Sequence, residues 1–316
     1  MIRDMVATPS VSSVNPDFDM SNKAVIDRLA EWTTALGFAV QVQPVVAKPG
    51  HYNMVATLGQ GPSGLVLSGH TDTVPCDPQL WQSDPFSVTQ RDDRLYGLGT
   101  TDMKSFLAMA IEAARIFADK PLKAPLTILA TADEESGMLG ARALVEEGIS
   151  PGRFALVGEP TGLRPVRMHK GIFMEGIRIR GQSGHSSDPT LGYNAMEAMH
   201  RVMSEILTFR QELQSRYRND AFKVPYPTLN LGHICGGDNP NRICGQCDLS
   251  IDLRPLPGMD LDETRNALRN RLRGVMADES GCELSFEKLF PGIAAVETDA
   301  GSAIVRAVEE FSGYTA

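Results

Sequence analysis

The chain predicts an α/β fold, a mostly parallel sheet with helices on both faces, and three observations carry that expectation. Continuous apolar runs bounded by turn residues recur at 65–69, 126–131 and 154–157 and read as buried strands. Helix-periodic segments separate them. Each run ends in side chains able to hold a cation: His70 and Asp72 after the first, Glu134 and Glu135 after the second, Glu159 after the third. Open α/β sheets bind ligands outside the carboxyl ends of their strands, so these groups are expected to converge in one crevice.

Taken in order, 21–36 reads as a helix, because Val25, Leu29, Trp32 and Leu36 recur at helical spacing between a Ser21 N-cap and a Gly37 stop. Phe38, Val40 and Val42 then alternate as a strand. A helix follows Asp102, with Phe106, Met109, Ala110 and Ala113 expected on one face. This texture continues to about Lys170. Beyond Gly171 come an alternating strand at 175–180, a long amphipathic helix at 194–217, strands at 228–234 and 248–253, a helix at 260–275 and a strand at 282–286. Strand, helix, strand, strand, helix, strand is the order of a ferredoxin-like α+β sandwich. The expected organisation is therefore a first domain over 1–171, an inserted domain over 172–290, and a return to the first domain over 291–316, where 300–311 forms a helix.

A length of 316 residues exceeds a typical single core, which suits two domains. The net charge of −9, with no basic patch, argues against nucleic acid or an anionic membrane as partner. No apolar run is long enough to span a bilayer, and the opening Met1, Ile2, Arg3, Asp4 lacks a signal-peptide core, so a cytoplasmic protein is expected. Cys244 and Cys247, with Cys235 nearby, have the spacing of half a zinc site, but no second pair completes it, and reduced thiols are the reading preferred.

The chemistry rests on the acids. Adjacent Glu134 and Glu135 leave a strand in different directions, so one can coordinate a metal while the other faces its water. Taken singly, Asp102 reads as a helix cap, Asp133 to Ser136 as a solvated turn and Glu159 before Pro160 as an ordinary turn residue. Together they point to a two-metal hydrolytic centre, since two divalent ions are matched in formal charge by Asp102, Glu135, Glu159 and a hydroxide. The glycines around Leu98 lack the Lys-Ser/Thr ending of a phosphate loop, and the serines lack a nucleophile elbow.

At 69–75, 96–104, 130–135, 158–161, 181–187, 227–234 and 241–244 the chain resembles the dinuclear zinc amidohydrolases and exopeptidases, a family that includes aminoacylases, succinyl-diaminopimelate desuccinylase and acetylornithine deacetylase. Ser105 stands where that family usually has glycine. The resemblance implies two zinc or cobalt ions, one held by His70, Asp102 and Glu159, the other by Asp102 as bridge and Glu135. It implies that Asp72 orients His70, that Glu134 is the general base, that His185 polarises the scissile carbonyl and that Asn241 and Arg242 hold the substrate carboxylate. The substrate is then a small N-acyl amino acid, Nα-acetyl-L-ornithine of arginine biosynthesis first, with succinyl-diaminopimelate, acetylcitrulline or a dipeptide as the alternatives, and the inserted domain a lid or dimerisation domain of a homodimer. The family pattern also has a histidine ligand near its C-terminus, which neither His200 nor His233 matches, so a truncated chain with a weakened second metal site is expected, active or surviving as a binding partner.

Overall fold

The computed structural model describes residues 1–62, 64–277 and 281–316, which form two compact units, Met1–Leu163 and Arg164–Ala316. In the first unit the elements are α1 (Ile2–Val6), α2 (Lys23–Ala35), β1 (Ala39–Pro44), β2 (Tyr52–Leu58), β3 (Leu65–His70), β4 (Thr89–Arg91), β5 (Arg94–Tyr96), α3 (Lys104–Arg115), β6 (Leu126–Thr131), α4 (Leu139–Glu146) and β7 (Phe154–Val157). α2 begins where Ser21 Oγ accepts the Lys23 N–H and stops at Gly37, whose φ of 82° suits a residue without Cβ.

The main sheet has the order β1-β2-β6-β3-β7. β6, β3 and β7 are parallel neighbours, while β2 is antiparallel to both β1 and β6, so β2 alone runs against the other four. Chain order takes β3 to β6 on one side and then across to β7 on the other. This reversal leaves the carboxyl ends of three parallel strands side by side, with β3 in the centre. One face of the sheet packs Met54, Ala56, Ile128 and Ala130 against α2 and α3. On the other face Asn53 Nδ2 donates to the Gly140 carbonyl of α4 at 2.8 Å.

The buried stripe of α3 is Leu107, Ala110, Ile111 and Ala114, so the expected stripe is corrected: Met109 is 55% exposed and Ala113 also faces solvent. Two apolar stripes one residue apart lie on this helix, and the one carrying the larger aliphatic pair, Leu107 and Ile111, meets the sheet.

In the second unit the elements are β8 (Met168–His169), β9 (Ile172–Arg180), α5 (Ala195–Arg216), β10 (Thr228–Gly236), β11 (Gln246–Arg254), α6 (Leu261–Val275), β12 (Glu283–Ile293), β13 (Val296–Glu297) and α7 (Ala303–Ser312). β10-β11-β9-β12 form an entirely antiparallel sheet, the strand order of a ferredoxin-like sandwich. Phe173, Ile177 and Ile179 of β9 alternate onto the face covered by Val202 and Ile206 of α5 and Leu268 and Leu272 of α6. Glu175 shares that face, and it is buried because Arg265 Nε approaches its carboxylate at 3.2 Å and Arg269 donates to it. β13 pairs with β8 inside this unit. No helix among the described residues is long and apolar enough to cross a membrane.

The α3 assignment makes a direct prediction. Leu107→Ala should cost about 2–5 kcal/mol of stability and Met109→Ala within about 0.5 kcal/mol, read from urea unfolding of each variant.

Candidate metal centre

His70 closes β3, and the parallel register sets it opposite Thr131, the last residue of β6. Its ring is buried, with Nδ1 2.9 Å from the Asp72 carbonyl oxygen and 3.6 Å from Asp72 Oδ1. The shorter contact is thus to the backbone of Asp72. A proton on Nδ1 donates there, which directs the Nε2 lone pair toward the acids. Asp102 Oδ1 lies 3.1 Å from Nε2, Glu159 Oε1 3.8 Å and Glu134 Oε2 4.0 Å.

The Asp72 carboxylate, itself buried, performs a task that spacing did not reveal: Oδ2 accepts the backbone N–H of Glu135 at 3.1 Å. This bond ties the turn after β6 to the turn after β3. Asp102 precedes α3 without capping it, since no side chain caps that helix, and its carboxylate turns to His70 instead.

The ligand atoms of His70, Asp102 and Glu135 lie within 4.8 Å of one another, and among the described residues this is the group of metal-ligating side chains that converges so closely. Glu159 stands beside His70 outside that trio. One imidazole nitrogen with two carboxylates is a donor set of a catalytic zinc site, and cobalt accepts the same donors.

Electrostatics fit a cation as well. Burial raises the carboxyl pKa of Glu134, Glu135 and Glu159, and repulsion among the neighbouring acids adds to it while His70 opposes it. Burial works against a charged His70, but Asp72, Glu134, Glu159 and Asp102 together outweigh it and raise its pKa. Carboxyl groups that resist ionisation around one ring are short of positive charge, which a divalent ion supplies.

A cleft of about 750 Å³ opens beside Asp102 and Glu135, walled by Thr73, Trp81, Arg94 and Tyr96. Trp81 and Arg94 escaped the sequence reading, since no spacing rule connects them to the strand ends.

The remaining expected site residues gather in the second unit. His185 and Arg242 form an isolated antiparallel bridge, and Ser186 N–H donates to the Asn241 carbonyl at 3.0 Å. His185 is exposed, with Nδ1 2.7 Å from Ser187 Oγ, while Arg242 pairs with Asp238 at 2.6 Å. Cys244 and Cys247 are buried free thiols, and burial pushes Cys247 up to about 11, which keeps it protonated and inert.

A metal-ligating cluster thus stands at the carboxyl edge of an α/β sheet, and the chain carries a ferredoxin-like second unit. The sequence model of Peptidase family M20/M25/M40 matches residues 66–315, and the chain belongs to that family. Its fold is that of an aminopeptidase PepT from Bacillus cereus, with a TM-score of 0.73 at 20% identity over 99% of this chain and 81% of that one. An M20 family metallo-carboxypeptidase from Sulfolobus solfataricus gives 0.72 at 20% identity over 99% and 83%. The YXEP protein of Bacillus subtilis, a dinuclear metal binding peptidase, gives 0.64 at 17% identity over 100% and 79%.

The cluster predicts that bound metal stabilises the protein. Zinc at about 100 times its Kd should add roughly 2.7 kcal/mol, and chelation should remove the gain. Thermal unfolding with and without zinc checks this, and His70→Ala should abolish the difference.

Proposed function

We propose that the chain hydrolyses the amide bond of a small N-acyl amino acid, Nα-acetyl-L-ornithine first, releasing acetate and L-ornithine for arginine biosynthesis in the cytoplasm. The observation that carries this reading is the convergence of His70, Asp102 and Glu135 with Glu134 and Glu159 alongside. In this reading His70, Asp102 and Glu159 hold one zinc or cobalt ion, and Asp102 and Glu135 hold a second. When bound, the ions polarise the amide carbonyl and acidify the attacking water.

Glu134 then takes the proton of that water and returns it to the nitrogen of the leaving amine. Asp72 keeps the imidazole of His70 in one tautomer and the Glu135 backbone in place. His185 stabilises the oxygen that gains charge, and Asn241 and Arg242 bind the substrate carboxylate. Their shared loop pair supports grouping the three as one substrate-facing set. The inserted segment 172–290 acts as a lid or dimerisation domain of a homodimer, and 291–316 continues the metallohydrolase domain.

The peptidase names of the structural neighbours favour one second reading, in which the same groups cleave a dipeptide. Ornithine release from the acetyl compound, compared with succinyl-diaminopimelate and dipeptides, separates the two. Full activity after exhaustive chelation excludes both.

Glu134→Gln should retain its metal yet lose about 10²- to 10⁴-fold in kcat, because an amide cannot accept the proton. Metal content and rate are measured on one preparation. Loss of metal in that variant would move Glu134 among the ligands.

A further inference from the structure

The turn that carries Glu134 and Glu135 is folded around the residue before them. Asp133 adopts a left-handed φ of 61°. Its carbonyl accepts the N–H groups of Gly137 at 3.2 Å and Met138 at 2.6 Å. Its carboxylate accepts the Leu139 N–H at 3.2 Å and the Ser12 hydroxyl at 2.8 Å. Ser12 Oγ also meets Ser136 Oγ at 3.0 Å. With its side chain 1% exposed, Asp133 needs a positive partner, and Lys48 supplies it.

Lys48 sits on the connection between β1 and β2, a segment fixed by its own backbone bonds, Lys48 N–H to the Val45 carbonyl at 3.0 Å and His51 N–H to the Lys48 carbonyl at 3.2 Å. From there Nζ reaches the Asp133 carboxylate, Asp19 Oδ1 at 2.8 Å and Ser12 Oγ at 3.1 Å. Each of the three ammonium protons thus has an acceptor, and the side chain is 15% exposed. Burial works against its charge, but hydrogen bonds to Asp133 and Asp19 outweigh burial and raise its pKa. Asp19 is held below the usual carboxylate value, burial notwithstanding, chiefly by Lys48 and the Ser13 N–H.

We propose that Lys48 is a positioning residue of the active site: through Asp133 it fixes the turn from which Glu135 reaches the metal and Glu134 the water. The inference rests on the roles given to those two glutamates above. Lys48 touches neither of them, so its removal should act on geometry and leave substrate binding nearly alone. A purely structural ion pair makes a different forecast, a lower melting temperature with each folded, metal-loaded molecule working at the normal rate.

The test uses the full chain loaded with zinc, as wild type, Lys48→Met and Lys48→Arg. Three quantities are read: kcat and KM for Nα-acetyl-L-ornithine, zinc affinity by competition with a chromogenic chelator, and the thermal midpoint. Lys48→Met should lower zinc affinity and kcat per bound zinc by about 10- to 100-fold with KM within about threefold, and Lys48→Arg should restore both to within about threefold of wild type. A fall in thermal midpoint with unchanged zinc affinity and kcat overturns the proposal, as does a loss that arginine leaves unrepaired. Should the methionine variant fail to fold, Lys48→Gln is read by the same criteria. If wild type cleaves none of the acyl amino acids or dipeptides, the proposed function fails by itself, and zinc competition alone still decides whether Lys48 sets the turn.

Discussion

Asp72, Asp102, Glu134 and Glu159 stand around one imidazole, with Glu135 converging on the same ring, and that concentration of negative charge is the constraint to which the first unit answers. Such a cluster cannot be neutralised by proximity alone, because burial penalises every ionised carboxylate in it. Two lysines stand at its margins, Lys104 buried and Lys48 half-buried. Lys48 meets Asp133, and Lys104, just beyond Asp102, donates to the Thr8 carbonyl at 2.7 Å and to Ser10 Oγ at 3.1 Å. Burial pushes Lys104 down to about 8, against the pull of Asp72. The lysine thereby joins the N-terminal segment to the metal edge. Ser12 N–H to the Thr73 carbonyl at 2.9 Å and Thr73 N–H to the Ser10 carbonyl at 3.1 Å complete the same seam.

The sheet makes this arrangement possible by topology. Only parallel neighbours bring successive carboxyl ends to one rim, and β6, β3 and β7 are the parallel part of the sheet. In the second unit an antiparallel sheet solves a different problem: α5 and α6 lie on one face, and Glu175, at an inward position of β9, is tolerated because Arg265 and Arg269 converge on it. Replacing one partner of such a pair leaves a buried charge, so the three side chains stand or fall together.

Much of this was legible from residue order. β6 and β7 fall on the apolar runs 126–131 and 154–157, and the expected strand at 65–69 extends by one residue to His70. Their side-by-side endings followed from the rule for open sheets, so the gathering of His70, Asp102, Glu134, Glu135 and Glu159 needed no contact information. The face of α3 was misread because Met109 and Ala113 continue an apolar pattern as well as Leu107 and Ile111 do, and only packing against Met54 and Ile128 decides between them. Lys48, Asp19 and Ser12 were illegible for a simpler reason. Asp133 lies 85 residues from Lys48 and 121 from Ser12, Asp19 joins them only through Lys48, and no local periodicity links such positions.

Asp133 shows why a run of acids can mislead. In isolation Asp133, Glu134 and Glu135 read as a solvated turn, since Asp tolerates the left-handed region and carboxylates favour water. The structure uses both properties, yet in the interior. The left-handed backbone of Asp133 reverses the chain so that the two glutamates after it emerge beside His70. Its carboxylate, turned inward, is then the anchor for Lys48, Ser12 and the Leu139 N–H. Asparagine would keep the backbone preference and lose the charge, and glutamate would keep the charge while fitting the left-handed backbone less readily. Aspartate meets both requirements, so the placement of the neighbouring glutamates depends on a side chain that is turned inward to Lys48, Ser12 and the Leu139 N–H.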